Sequence, residues 1–107
     1  MAKLDKLSRL EGFKVFITKM TESSGNEQYF LRARRLDAAP GVWPDGMLEY
    51  SCAQTKHYSK KECIDRVLFE SQYLLRFFGY TSEDLGFGNF DEEDMKFVEE
   101  NKRFWRA

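Results

Sequence analysis

The stretch "YSKKECIDRVLFESQYLLRFFGY", residues 58–80, constrains the fold more than any other part of the chain. Ser59 and Glu62 stand at capping-box spacing, where each side chain can satisfy a free backbone N–H at a helix start. Gly79 is placed to end that helix in a left-handed conformation. Between these signals, at about 100° per residue, Ile64, Val67, Leu68, Ser71, Leu75 and Phe78 fall on one stripe. Phe69, Tyr73 and Phe77, spaced by four, fall on a second stripe nearly opposite. One stripe can meet a sheet. The other needs a different cover, and the last helix of the chain is expected to supply it.

The sheet is readable upstream. "GFKVFITKM" alternates, with Phe13, Val15 and Ile17 on one face and Lys14, Phe16 and Thr18 on the other. After the turn "TESSGNE", "QYFLRARRL" places Tyr29, Leu31 and Ala33 on one side and Phe30, Arg32 and Arg34 on the other. "MLEYSCA" is the third strand, with Leu48, Tyr50 and Cys52 expected to point inward. Leu4, Leu7 and Leu10 predict a short helix ending near Gly12. Downstream, "TSEDLGFGNF" reads as a loose connection. "DEEDMKFVEENKRFW" reads as a final helix with Asp91 as N-cap and acids in its first turn, where the helix dipole favours them. Phe90 and Met95 stand at hydrophobic-staple spacing. In that helix Met95, Val98 and Trp105 share one flank, and Phe97 and Phe104 the other. The predicted class is α+β: a three-stranded antiparallel meander, preceded by a short helix and packed against a long helix, with a C-terminal acidic helix. A single domain covers residues 1–107.

Composition matters where it bounds function. Aromatic residues make up 16% of the chain, ten of them Phe, more than a small core readily hides. The surplus falls at Trp43, on the outer sheet face around Phe16, Phe30, Arg32 and Arg34, and on one flank of the last helix. Aromatic and Arg surface is what binding interfaces are enriched in. Trp43 sits in the loop 37–46 between Pro40-Gly41 and Pro44-Asp45-Gly46. That stiff loop either presents the indole to a partner or folds it over the sheet edge. The net charge of −1 hides a polarity: residues 1–37 carry eight Lys/Arg against five acids, and residues 81–107 carry eight acids against four bases. The two ends can steer a charged partner or attract each other.

Catalytic signals are weak. His57 is the only histidine, and Cys52, His57 and Cys63 lack the fourth ligand of a structural zinc site. No phosphate-binding or nucleophile motif occurs; "GFGNF" has neither the lysine nor the strand–helix setting. Asp91, Glu92, Glu93 and Asp94 read as a solvated helix start rather than a cation site. No enzyme, metal or cofactor is expected. Two cysteines fit a reducing compartment, the N-terminus is too charged for a signal peptide, and no apolar run reaches membrane-spanning length. A cytoplasmic protein is therefore expected.

Three resemblances bear on function. Lys60 and Lys61 at a helix start after three strands resemble double-stranded-RNA-binding domains, although Glu62, Cys63 and Ile64 depart from the small and basic residues expected next. The βββα order is also similar to three-stranded DNA-binding modules of integrases, in which Arg32, Arg34 and Arg35 would serve the sheet. The α-βββ-αα order, small size and "DEEDMKFVEE" helix resemble small phage-encoded inhibitors of the anti-CRISPR kind. That resemblance implies a non-enzymatic blocker whose acids, Glu83, Asp84, Asp91, Glu92, Glu93 and Asp94, meet a basic groove of a nucleic-acid-handling protein. The expected partner is another protein, contacted through those acids with Trp43, Arg32 and Arg34. A homodimer is one form such binding can take, and direct nucleic-acid binding is the alternative.

Overall fold

Alternation in the first two strands is realised residue for residue. A computed structural model describes residues 12–35 and 47–101. The short helix expected over Leu4, Leu7 and Leu10, the Trp43 loop, and Phe104 and Trp105 lie outside the described residues. Strand β1 (Phe13–Thr21) pairs antiparallel with β2 (Glu27–Arg35), and β2 with β3 (Met47–Gln54). Val15 and Ile17, with Tyr29, Leu31 and Ala33, are buried on one face of this sheet.

A fourth strand departs from the expected meander. β4 (Gly86–Gly88) lies parallel to β1, giving the order β3-β2-β1-β4. Its sequence, Gly-Phe-Gly, has low strand propensity, so the register is set by tertiary contacts rather than local preference. Phe87 packs on the core, while a Cβ at Gly86 would stand 3.0 Å from Lys14 Cε and one at Gly88 3.2 Å from Thr18 Oγ1. The bare glycines leave room for those neighbouring side chains.

Helix α1 (Lys60–Phe78) has both expected ends. Ser59 and Glu62 form the reciprocal capping box. Gly79 adopts φ 76° and ψ 27°, and the N–H groups of Gly79 and Tyr80 donate to Arg76 and Leu75 carbonyls, a Schellman closure. Ile64, Val67, Leu68, Ser71, Leu75 and Phe78 all face the sheet and are buried, joined by Cys63 and Leu74. Ser71 satisfies its hydroxyl on the Leu68 carbonyl at 2.6 Å. A one-turn 3-10 helix (Ser82–Asp84) leads into β4, and α2 (Glu92–Asn101) follows it, burying Val98.

The third strand corrects the sequence reading. The β2–β3 register shifts between Leu31 and Arg32: Leu31 opposes Ser51, whereas Arg32 opposes Glu49. This bulge leaves Tyr50 as the extra residue and moves Cys52 to the outer face opposite Phe30. Ala53 takes the buried place; Cys52, Leu48 and Tyr50 are exposed. None of the described helices is long and apolar enough to cross a membrane.

Candidate binding surfaces

The acidic residues divide into two groups with different roles. Glu83 and Asp84 precede β4 and Asp91–Asp94 follow it, so the strand holds the two groups at opposite ends. Asp84 accepts from the Thr81 N–H at 2.8 Å and serves its own turn. At the other end, Asp91 and Asp94 cap α2 reciprocally: the Asp94 N–H donates to Asp91 Oδ1 at 2.9 Å, and the Asp91 N–H to Asp94 Oδ2 at 3.0 Å. Asp94 is fully buried. Its carboxylate also meets Lys19 Nζ at 2.6 Å, accepts from Tyr29 Oη at 2.8 Å and lies 3.5 Å from Lys60 Nζ. With those contacts made, Asp94 has no surface to offer a partner.

Lys19 reaches Asp91 and Glu27 as well, at 3.0 and 3.2 Å, and Lys60 meets Glu93 at 2.8 Å. The N-termini of both helices converge here. A lysine in the first turn of α1 opposes the helix dipole, and the acids of α2 offset it. Burial alone would lower the Lys19 pKa, but hydrogen bonds to Asp94, Asp91 and Glu27 outweigh it and raise the value. The Asp94 backbone N–H, followed by Lys19, holds the Asp91 carboxyl well below the usual range. Burial, then the bond to Asp94, raises the Tyr29 phenol. Of the four acids in this group, Glu92 alone has no ion pair among the described residues. The sequence reading missed Lys19, which continues the inward alternation of β1 beyond Ile17 and so had a legible signal.

The second helical stripe is uncovered. Phe69, Tyr73 and Phe77 are 58%, 59% and 67% exposed, so the expected cover by the last helix is not what forms. The reason is geometric: the described helix Glu92–Asn101 is pinned by Lys19 and Lys60 at its start and lies along the Asp65 flank, where Asn101 donates to Asp65. Phe69 and Tyr73 contact each other edge to face, with ring centroids 5.6 Å apart. Between this stripe and β3 runs a groove of about 450 Å³ lined by Leu31, Tyr50, Glu70, Tyr73, Leu74 and Phe77. β3 is an edge strand with no described neighbour on its outer side. Tyr50 and Leu48, which the reading placed in the core, instead extend the apolar surface to that edge.

No described element covers the opposite face of the sheet. Lys14 opposes Arg34, Phe16 opposes Arg32, and Thr18 opposes Phe30 across β1 and β2. Arg32 lies 4.4 Å over the Phe30 ring and 3.4 Å from Glu49. Arg32 and Arg34 are thus brought together with Lys14, on the face away from α1 and the Lys19 network. Trp43 lies outside the described residues. Among the described residues no three His, Cys, Asp or Glu side chains converge to hold a metal ion. Cys63 is buried, which pushes its thiol up to about 11, away from a reactive thiolate.

No protein-family model, curated protein or solved structure matches the chain.

Proposed function

We propose that the protein is a non-enzymatic binding module that holds another protein in the groove between α1 and the β3 edge. The observation that carries this reading is the row of Phe69, Tyr73 and Phe77, each more than half exposed, beside a strand edge that has no partner among the described residues and also exposes Tyr50 and Leu48. Large contiguous apolar surface on a small domain costs solubility unless a partner uses it. An extended segment of the partner adds to β3 through main-chain hydrogen bonds, and its alternate side chains enter the groove. Such a module inhibits by occupancy. A target that handles nucleic acid follows from the anti-CRISPR-like resemblance, but the contacts move from acids to aromatics. Asp91, Glu93 and Asp94 are engaged by Lys19 and Lys60 and so are poorly placed to imitate phosphates.

Affinity capture from the native cell, compared across variants, tests this. Wild-type protein should retain a partner in stoichiometric amount. Phe77→Ser and Tyr73→Ser should release it while leaving the thermal midpoint unchanged, and Glu92→Lys should retain it. Loss with Glu92→Lys and retention with Phe77→Ser would restore the acidic reading and remove the groove from the interaction.

A further inference from the structure

We infer that the open face of the sheet is a second binding site, for single-stranded nucleic acid. It lies on the side of the sheet away from the α1 groove and does not depend on that groove's role. Lys14 and Arg34 stand directly opposite each other on neighbouring strands. Like charges in that position repel and destabilise a strand pair. Neither side chain has an ion pair among the described residues, so nothing described offsets the cost. Arg32, one row further along, adds a third cation. It is only partly neutralised: its Nη2 reaches Glu49 at 3.4 Å, while its buried Nε has no hydrogen-bond partner. Glu49 is the only acid on this face among the described residues, despite the chain's net charge of −1. Four of the other described acids, Glu27, Asp91, Glu93 and Asp94, are gathered around Lys19 and Lys60.

An anion is the ligand such a cluster attracts, and the aromatics specify which kind. Phe16 and Phe30 occupy the two rows beyond the Lys14–Arg34 pair, spaced by two strand residues, or about 7 Å. Both rings are half-buried and show part of their surface outward. A strand of unpaired bases offers phosphates to the cations and π-faces to the rings, whereas a duplex keeps its bases stacked away from them. Gly86 and Gly88 at the β4 edge carry no side chains of their own, so it is Lys14 and Thr18 that stand over that end of the face. The groove here, about 440 Å³, is lined by Lys14, Phe16, Arg32, Arg34, Gly88 and Asn89 among others.

Fluorescence anisotropy with a labelled deoxythymidine oligomer, a duplex of equal length and polyglutamate tests the assignment. The oligomer should bind best, and log K should fall with log salt at a slope of about −2, the value for three neutralised phosphates on a single strand. The pair Lys14→Gln/Arg34→Gln, both at exposed positions, should weaken binding at least tenfold and flatten that slope. Phe16→Ala, and separately Phe16→Leu to keep the apolar volume, should weaken it about tenfold with the slope unchanged, as loss of stacking predicts. Phe77→Ser should change nothing. No binding of the oligomer at low salt overturns the proposal. So does equal binding of polyglutamate with Phe16→Ala harmless, which would make this a face for acidic protein segments. Preference for the duplex overturns it as well.

Discussion

Lys19 decides more than its exposed-looking sequence context suggests. It is buried among three carboxylates, and one of these, Asp94, is wholly inside the protein. Removing one member of a buried ion pair leaves the other charge uncompensated, at a typical cost of about 3–5 kcal/mol. Lys19→Met should therefore unfold at a denaturant midpoint far below wild type. Tyr29→Phe deletes a single hydrogen bond to the same carboxylate and should cost about 1.5–3 kcal/mol. Equal effects from the two variants would mean that the lysine is not the principal counter-ion of Asp94. Asp91 makes a pH prediction. A carboxylate held below its ordinary value of 3.8 stabilises the fold at every pH above that value, and this contribution is lost as pH falls toward the depressed folded value. The thermal midpoint should hold down to about that pH and drop beneath it. Asp91→Asn keeps an N-cap acceptor but has no such charge, so its acid limb should be shallower.

At the scale of elements, α1 offers a direct comparison between its two faces. Leu68→Ala on the sheet side should cost about 2–5 kcal/mol, because a buried leucine leaves a cavity. Phe77→Ser on the other side should change chemical-denaturation stability by no more than about 0.5 kcal/mol. Similar losses would mean that something covers the outer stripe. The legibility of the elements follows the same physics. α1 was readable to its caps because Ser59, Glu62 and Gly79 act within their own turn. β1 and β2 were readable because their alternation runs unbroken from Phe13 and Tyr29. β3 was not, since the bulge at Tyr50 depends on its pairing with β2, and no local signal marks the slip that turns Cys52 outward. β4 was missed because two of its three residues are glycines, and the strand exists only through β1. The candidate surfaces were legible in part: the Phe69–Tyr73–Phe77 spacing was visible, but its exposure depends on where α2 docks. Arg32 and Arg34 were correctly placed on the outer face, while the burial of Asp94 needed Tyr29 and Lys60 brought from distant parts of the chain.

Across the whole molecule, charge and apolar surface are sorted by location. Of the acids that looked like an interface in sequence, Asp91, Glu93 and Asp94 are gathered with two lysines where the helices begin. The sheet's outer face keeps Lys14 and Arg34, which have no ion pair among the described residues, and the α1–β3 side keeps exposed aromatics. Salt should therefore act unequally. Contacts of exposed charges fade beyond about 10 Å at 0.1 M ionic strength, whereas a buried pair is screened much less. Raising salt from low to moderate concentration should leave the unfolding midpoint of the folded domain nearly constant while weakening any anion bound at Lys14 and Arg34. A midpoint that collapses with salt would show that the Lys19 cluster is open to water. The pairing of Lys19 with Asp94 also has a consequence for biosynthesis. The lysine belongs to the first described strand and its buried counter-ion lies 75 residues later, beyond the strand that completes the sheet's other edge. While the chain is still emerging from the ribosome, the early hairpin carries an inward-facing ammonium with no acid of α2 to receive it. Closing the core is then unfavourable until α2 has been made, and the domain should gain protease resistance in one late step rather than strand by strand.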